Sequence, residues 1–390
     1  MFTRRSQERF GLLVTIGSGS VGLAICHSVP EREPVIVWTH RENIPLRDIS
    51  SIDQTSKAII TTIMNTMMEF EGAGRAALDN HQKGARIKTM QATVAAPWSY
   101  TTTRTIKYEQ EKQFTVDDEL IGELSTQAAT QAMEAVQGKQ TLESMGVVET
   151  SRCVLDISAN GYRIAQANNQ KANSVTVTHV TTLAQSDLIQ ALQDMNERLF
   201  GNVPLQCISA ILASQLAINQ AAANLYDVCI VHITNEATEI GIVRDGSLQY
   251  CTHVAFGRAS IAREIAVVQG IPLHEAFNSF PTVPEINASE ALITIFTAYT
   301  EKVTELFKET GDQLTIPKHI YLQTDSELEL MFAPIIQTAG EAACKELPTV
   351  TSLQSAIPQL AMGEKSFSTA VAVATGFFHT SANRAHIEYL

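Results

Sequence analysis

One order of elements occurs twice in this chain, and that repetition constrains the fold more than any other feature. Leu12 to Ile16 runs apolar, Gly17-Ser18-Gly19-Ser20 makes a tight polar turn, and Val21 to Cys26 runs apolar again. After the charged Glu31-Arg32-Glu33-Pro34 turn, Val35 to Trp38 reads as a third strand. Ile59, Ile60, Ile63, Met64, Met67 and Met68 then recur at helical spacing, a stripe read as core packing. Gln91 to Ala96 completes the unit as a buried strand. About 215 residues further on, the order returns: Val228 to Ile233, a polar turn, Glu239 to Val243, Tyr250 to Phe256, and a helix. Few architectures build two such strand-hairpin-helix lobes facing one cleft.

Between the repeats the composition changes. Ser99 to Tyr108 alternates Thr and Tyr with charges, as a half-exposed strand does. Thr115-Val116-Asp117-Asp118 has the chemistry of a helix start, with Thr115 as the cap and the acids favouring the positive helix end. Leu120, Ile121, Leu124, Ala128, Ala132 and Val136 mark that helix's buried face. The strands Cys153 to Ile157 and Val175 to Val180 flank Asn160-Gly161, a pair suited to a tight turn. The domain reading is therefore a first-lobe core over 1–96, continued by 184–223, a small α+β insert over 97–183, and a second lobe over 224–390. Within that second lobe, 258–314 is read as a helical subdomain and 368–379 as a closing helix.

Charge and cysteine content limit the partners. The 390 residues carry 28 Lys plus Arg against 41 Asp plus Glu, a formal charge of −13. That excess repels nucleic acid and bare anionic membranes. The six cysteines form no C-x-x-C pair and sit mostly in apolar runs, which points to a reducing cytoplasm without a disulfide framework or zinc site. Arg4 and Arg5 precede an apolar stretch, but Glu8, Arg9 and the Gly17 to Ser20 break read against a secretory signal.

Val14-Thr15-Ile16-Gly17-Ser18-Gly19-Ser20-Val21 resembles the first phosphate loop of the actin-like ATPases, usually Asp-Ile-Gly-x-Ser-Ser-Val. Val231 to Ile240 is similar to their second loop, Asp-Ile-Gly-Gly-Gly-Thr-Thr-Asp, and Gly241 to Leu248 to the hairpin that follows it in the FtsA and PilM branch. The 97–183 insert falls where that branch carries a strand-helix-strand-strand subdomain of the SHS2 type, with Asn160 to Arg163 and Lys171 to Val175 at comparable turn and strand positions. Ser368 to Ala374 is similar to the closing helix. The resemblance spans nearly the whole chain and implies an α/β, actin-like, duplicated ribonuclease-H-like two-lobed fold.

The same resemblance implies a nucleotide cleft, here a vestigial one, formed by Thr15, Gly17, Ser18, Gly19, Ser20, His232, Thr234, Asn235, Glu236, Thr238, Glu239, Thr324 and Asp325. Family members use acids in both loops to hold hydrated magnesium and glycines to bring backbone amides to the phosphates. Here the first acid is Thr15, the second is His232, and the glycine run has become Thr234, Asn235 and Glu236. Gly17, Ser18, Gly19, Ser20 and Thr238 still suit phosphate contact, with Glu239 a longer substitute for the last Asp. Glu236 aimed at a phosphate from about 5 Å would cost roughly 3 kcal/mol per unit charge. Where the family passes adenosine over a Gly-Gly turn, Gln323, Thr324 and Asp325 would crowd the base or ribose. His232 on its apolar strand is read as a core residue, with no nucleophile beside it.

The expectation is a cytoplasmic scaffold or adaptor, degenerate as an ATPase, with no catalytic residues, no metal and no cofactor, ATP with magnesium being disfavoured. By resemblance its partners are the short cytoplasmic tail of a membrane protein, as in PilM-like pilus assembly, or a division-ring protein, as in FtsA-like cell division. The insert is a candidate for self-association. The chain stops about 16 residues beyond Ala374 with no amphipathic helix, which favours the pilus role and recruitment to the membrane's inner face by a partner. The alternative is an active ATPase or kinase on the same fold, with Glu239 organising the metal.

Overall fold

In a computed structural model, the described residues are 8–46, 52–137, 146–164, 167, 169–221, 227–279, 290–309, 316–324, 328–344, 346–357, 368–381 and 387–389. The first repeat forms β1 (Arg9–Ile16), β2 (Ser20–Ser28) and β3 (Val35–Asn43), an antiparallel meander. The helix α1 (Ile52–Glu69) runs through a π-helical turn, Phe70–Gly74, into α2 (Arg75–His81), and β4 (Thr89–Val94) returns parallel to β1. Residues alternate along β1, so Leu12, Val14 and Ile16 enter one apolar core while Leu13 faces another. A strand buried on both faces needs a layer on each side.

The insert begins with β5 (Ser99–Val116) and α3 (Asp118–Gln137), then β6 (Val147–Ala159), β7 (Tyr162–Ile164) and β8 (Gln170–Gln185). Both residues of the Asn160-Gly161 turn take positive φ, 51° and 82°, the backbone the dipeptide was expected to supply. The helix cap differs from expectation. Strand β5 continues through Thr115, and the carboxylate of Asp117 accepts the Leu120 amide at 2.9 Å. Asp117 sits three residues before the orphan amide it caps, whereas Thr115 is still paired in the sheet.

The chain re-enters the first lobe through α4 (Ser186–Phe200), β9 (Leu205–Ser209) and α5 (Ala210–Ala221). The second repeat follows as β10 (Val228–Ile233), β11 (Thr238–Arg244) and β12 (Ser247–Val254), then α6 (Arg258–Gln269), α7 (Leu273–Ser279) and α8 (Glu290–Lys308). The remaining elements are β13 (His319–Gln323), α9 (Glu329–Cys344), β14 (Thr349–Ser352), α10 (Leu353–Ala356), α11 (Thr369–Ser381) and β15 (Ile387–Tyr389).

The repeat is now visible in the sheets. The first has strand order β3-β2-β1-β4-β9 and the second β12-β11-β10-β13-β14. In each, the first three strands pair antiparallel and the last two parallel. A third sheet, β15-β6-β8-β5, belongs to the insert, with β7 pairing β6.

Two sequence expectations need correction. The closing helix α11, expected with the second lobe alone, packs on both sheets: Val373 and Phe377 join the core of the second, while Val371, Ala374 and Phe378 pack on Leu13, Ala24 and Cys26 of the first. The side-chain amide of Gln91 on β4 donates to the Ala374 carbonyl at 2.9 Å, fixing the helix there. Phe378 is fully buried against the first sheet, a contribution of about 2 to 3 kcal/mol. On α1 the core stripe is Ile59, Ile63 and Met67, while Met64 and Met68 turn toward solvent at 44% and 72% exposure.

Between the two sheets lie α5 and α11. Ile211, Leu212, Leu216, Val373 and Phe377 share a core with Val228, Ile230, Val243 and Tyr321 of the second sheet. This shared core sets the mouths of β1 and β10 side by side.

Candidate functional site

At those mouths a cavity of about 620 Å³ opens between the lobes. Among the expected residues, Thr15, Gly17, Ser18, Gly19, Ser20, His232, Thr234, Asn235 and Thr324 line it. Asp325 lies outside the described residues. Arg41, Asn43, Arg258, Phe277, Asn278 and Gln354 also line it, and sequence reading missed them. Arg41 stands opposite Gly22, which stands opposite Thr15, and the matching row of the second sheet is His253, Glu239 and His232.

The first loop closes on itself and on its neighbours. The Gly17 amide donates to the Ser20 carbonyl at 3.0 Å, and the Arg41 Nε donates to the Ser20 hydroxyl at 3.0 Å. The Ser18 hydroxyl donates to Thr234 Oγ1 at 2.8 Å and accepts the Glu236 amide at 2.8 Å. Thr234 in turn donates to the Ala96 carbonyl at 3.2 Å. Three segments, from the ends of β1, β4 and β10, are thus tied at one point. A Cβ on Gly19 would sit 2.3 Å from the Asn235 side-chain nitrogen, so the second loop's amide fills the space against the first loop.

Helix α6 presents its N-terminus to the same loop, a place where free backbone amides often bind anions. Here they are already engaged. The Arg258 amide donates to the Thr234 carbonyl at 3.1 Å and the Ala259 amide to the Asn235 carbonyl at 2.8 Å. Gly257 permits this close approach, since a Cβ there would lie 2.3 Å from the Thr234 carbonyl oxygen. The Arg258 guanidinium stacks over Phe277 at 3.8 Å and donates to its carbonyl at 3.2 Å.

Three expected site residues are elsewhere. Glu236 does not face the cavity; its carboxylate takes a bidentate pair from Arg263 at 2.5 and 3.0 Å. The repulsion expected between Glu236 and a phosphate therefore does not arise. Thr238 points to the opposite face of β11, where its hydroxyl meets the Phe256 carbonyl and the Tyr299 hydroxyl, each at 2.8 Å. It is buried and makes no part of the cavity wall. Glu239 is also fully buried behind the cavity.

Glu239 has unusual surroundings for a carboxyl group. Cys251 Sγ donates to its Oε1 at 3.5 Å, and Oε2 has no hydrogen-bond partner among the described residues. Burial pushes its pKa up to about 8, with the Cys251 thiol and the Ala96 amide pulling the other way. Such a group holds its proton at neutral pH. Buried and outside the cavity's described lining, the Glu239 carboxyl does not reach into the cavity in this arrangement.

The cavity's described lining consequently contains no carboxylate. Magnesium is a hard cation that takes anionic oxygen ligands beside the nucleotide's own phosphates. The cavity's polar groups are hydroxyls, amides, the His232 imidazole and the Arg41 and Arg258 guanidinium groups, with Gln323 further committed by accepting the Ser214 hydroxyl at 2.9 Å.

Solved structures share this arrangement of sheets. A PilM-PilN type IV pilus biogenesis complex matches with a TM-score of 0.57 at 14% identity, over 96% of this chain and 98% of that one. The fold is actin-like. A diol dehydratase-reactivating factor in nucleotide-free form matches with a TM-score of 0.50 at 10% identity, over 96% of this chain and 100% of that one. No protein-family model matches the sequence, and no curated protein does. Among the described residues, no helix is long and apolar enough to cross a membrane, and no group of His, Cys, Asp and Glu is placed to hold a metal ion.

Proposed function

We propose that this chain is an actin-like scaffold that holds the short tail of a membrane protein, in a role like that of PilM in type IV pilus assembly, and does not hydrolyse ATP. The observation that carries this reading is the tie across the cleft. Ser18, Thr234 and Glu236 spend their hydrogen-bonding groups on one another, and Glu239 is sealed away as a neutral acid. What an ATPase would leave free for phosphate and metal serves here to hold two lobes together. The acidic balance further supports a protein partner over nucleic acid, with the partner bringing the scaffold to the membrane's inner face.

One observation favours a second reading, an ATP-dependent enzyme. A cavity of about 620 Å³ lies in the size range of small-molecule sites, and Arg41 and Arg258 stand on its wall. Pull-down with tail peptides of pilus inner-membrane proteins tests the adaptor role. Capture of a tail peptide, without pelleting on liposomes alone, is the expected result. Tail-independent pelleting with liposomes, or no capture alongside ATP turnover, would overturn it.

A further inference from the structure

The insert's sheet ends in an unusual neighbour. Strand β6 pairs with β8 along one side, and along the other it receives β15, a strand more than 220 residues later in the sequence. Ile387 lies opposite Cys153, Glu388 opposite Arg152, and Tyr389 opposite Ser151. The alternate side chains Ile387 and Tyr389 pack on the core shared by the lobes, which holds Val180, Ile208 and Ile211. Glu388 points the other way, its carboxylate 3.6 Å from Arg152 and largely exposed.

This is how an extended peptide is recognised by a sheet edge: main-chain bonds give affinity, and pockets for alternate side chains give specificity. An edge left bare would present unpaired N–H and C=O groups beside an apolar cleft. We propose that the Ser151–Cys153 edge of β6 is a docking site for an extended segment of apolar-acidic-aromatic pattern, and that β15 fills it from within the chain until a partner segment displaces it. That the displacing segment is a membrane protein's tail rests on the adaptor reading; the occupancy by β15 does not.

Only five residues separate Ser381, at the end of α11, from Ile387. A linker this short gives an effective concentration on the order of millimolar. A free peptide of the same pattern with an intrinsic dissociation constant of about 100 µM is then weakened roughly tenfold by the competing strand.

The test uses a fluorescent peptide of residues 385–390, Ala-His-Ile-Glu-Tyr-Leu, titrated by anisotropy into two proteins. One is the full chain and the other stops after Ser381. The shortened chain should bind at least about tenfold more tightly, and a charge-reversed peptide carrying Lys in place of the Glu should bind it more weakly. An Ile387→Asp/Tyr389→Asp variant, which keeps the full length of the chain, should gain the same affinity. Equal affinity for all three proteins, or no binding by a shortened chain whose melting and circular dichroism show it folded, would overturn the proposal. Peptide binding without capture of any pilus tail would leave the docking site standing and remove the adaptor reading instead.

Discussion

Replacing Glu239 with Gln removes one proton equilibrium while keeping the shape of the side chain. In the folded protein the group's pKa is raised by burial from 4.5 to about 8. The unfolded chain therefore loses this proton near pH 4.5, while the folded chain keeps it until about pH 8. Over that window the unfolded state binds fewer protons, so stability falls as pH rises, and it levels off above pH 8. The gap of about 3.5 between the two values, at about 1.4 kcal/mol each, sets the loss at about 5 kcal/mol. Every other titrating group is common to both proteins, so the difference between wild type and Glu239→Gln isolates this one. Urea denaturation of both, followed by circular dichroism from pH 5 to pH 9, should show the variant gaining several kcal/mol relative to wild type by pH 8. A difference that stays constant with pH would mean an ionised Glu239 in the fold, and would restore it as a candidate metal organiser.

Other substitutions probe the packing that shapes the cleft. A Cβ on Gly11 would lie 2.3 Å from the Phe378 ring, so Gly11→Ala should loosen α11 from the first sheet. A loss of about 1 to 3 kcal/mol in chemical denaturation is expected; an unchanged midpoint would contradict the placement of α11. Arg263→Met leaves the half-buried Glu236 carboxylate without its bidentate partner and should cost about 1 to 3 kcal/mol. Adding Glu236→Gln should recover much of that loss in a double-mutant cycle, and additive losses would show that the pair is not coupled.

The repeated grammar of the two lobes was legible because it rests on local patterns: apolar runs of strand length, Gly-Ser and Asn-Gly turns, and helical spacing of apolar residues. Register then follows from alternation, which is why β1 and β10 occupy the same place in their sheets. Long-range packing was not legible. Nothing in the sequence around Val371 to Phe378 distinguishes a helix that covers β10 alone from one that packs between both sheets, since β1 and β10 are apolar on both faces. The candidate site was readable as two facing loops but not as side-chain directions. Thr238 and Glu239 are adjacent on a strand and so must face opposite ways, which meant both could not serve the cavity. Glu236 was misread because its partner, Arg263, comes one helix later and no local pattern joins them. Strand β15 lay beyond the reach of sequence pattern altogether, being three residues long with its partner in another subdomain.

We propose that the cleft has given up metal-bound nucleotide and uses its loops to hold the lobes together. Thermal unfolding with ATP, measured with magnesium and with the magnesium chelated, tests it most directly. Occupancy at a hundred times the dissociation constant would add about 2.7 kcal/mol. Melting curves at millimolar ATP should coincide with and without magnesium; a clear magnesium-dependent rise in the melting temperature would refute the proposal.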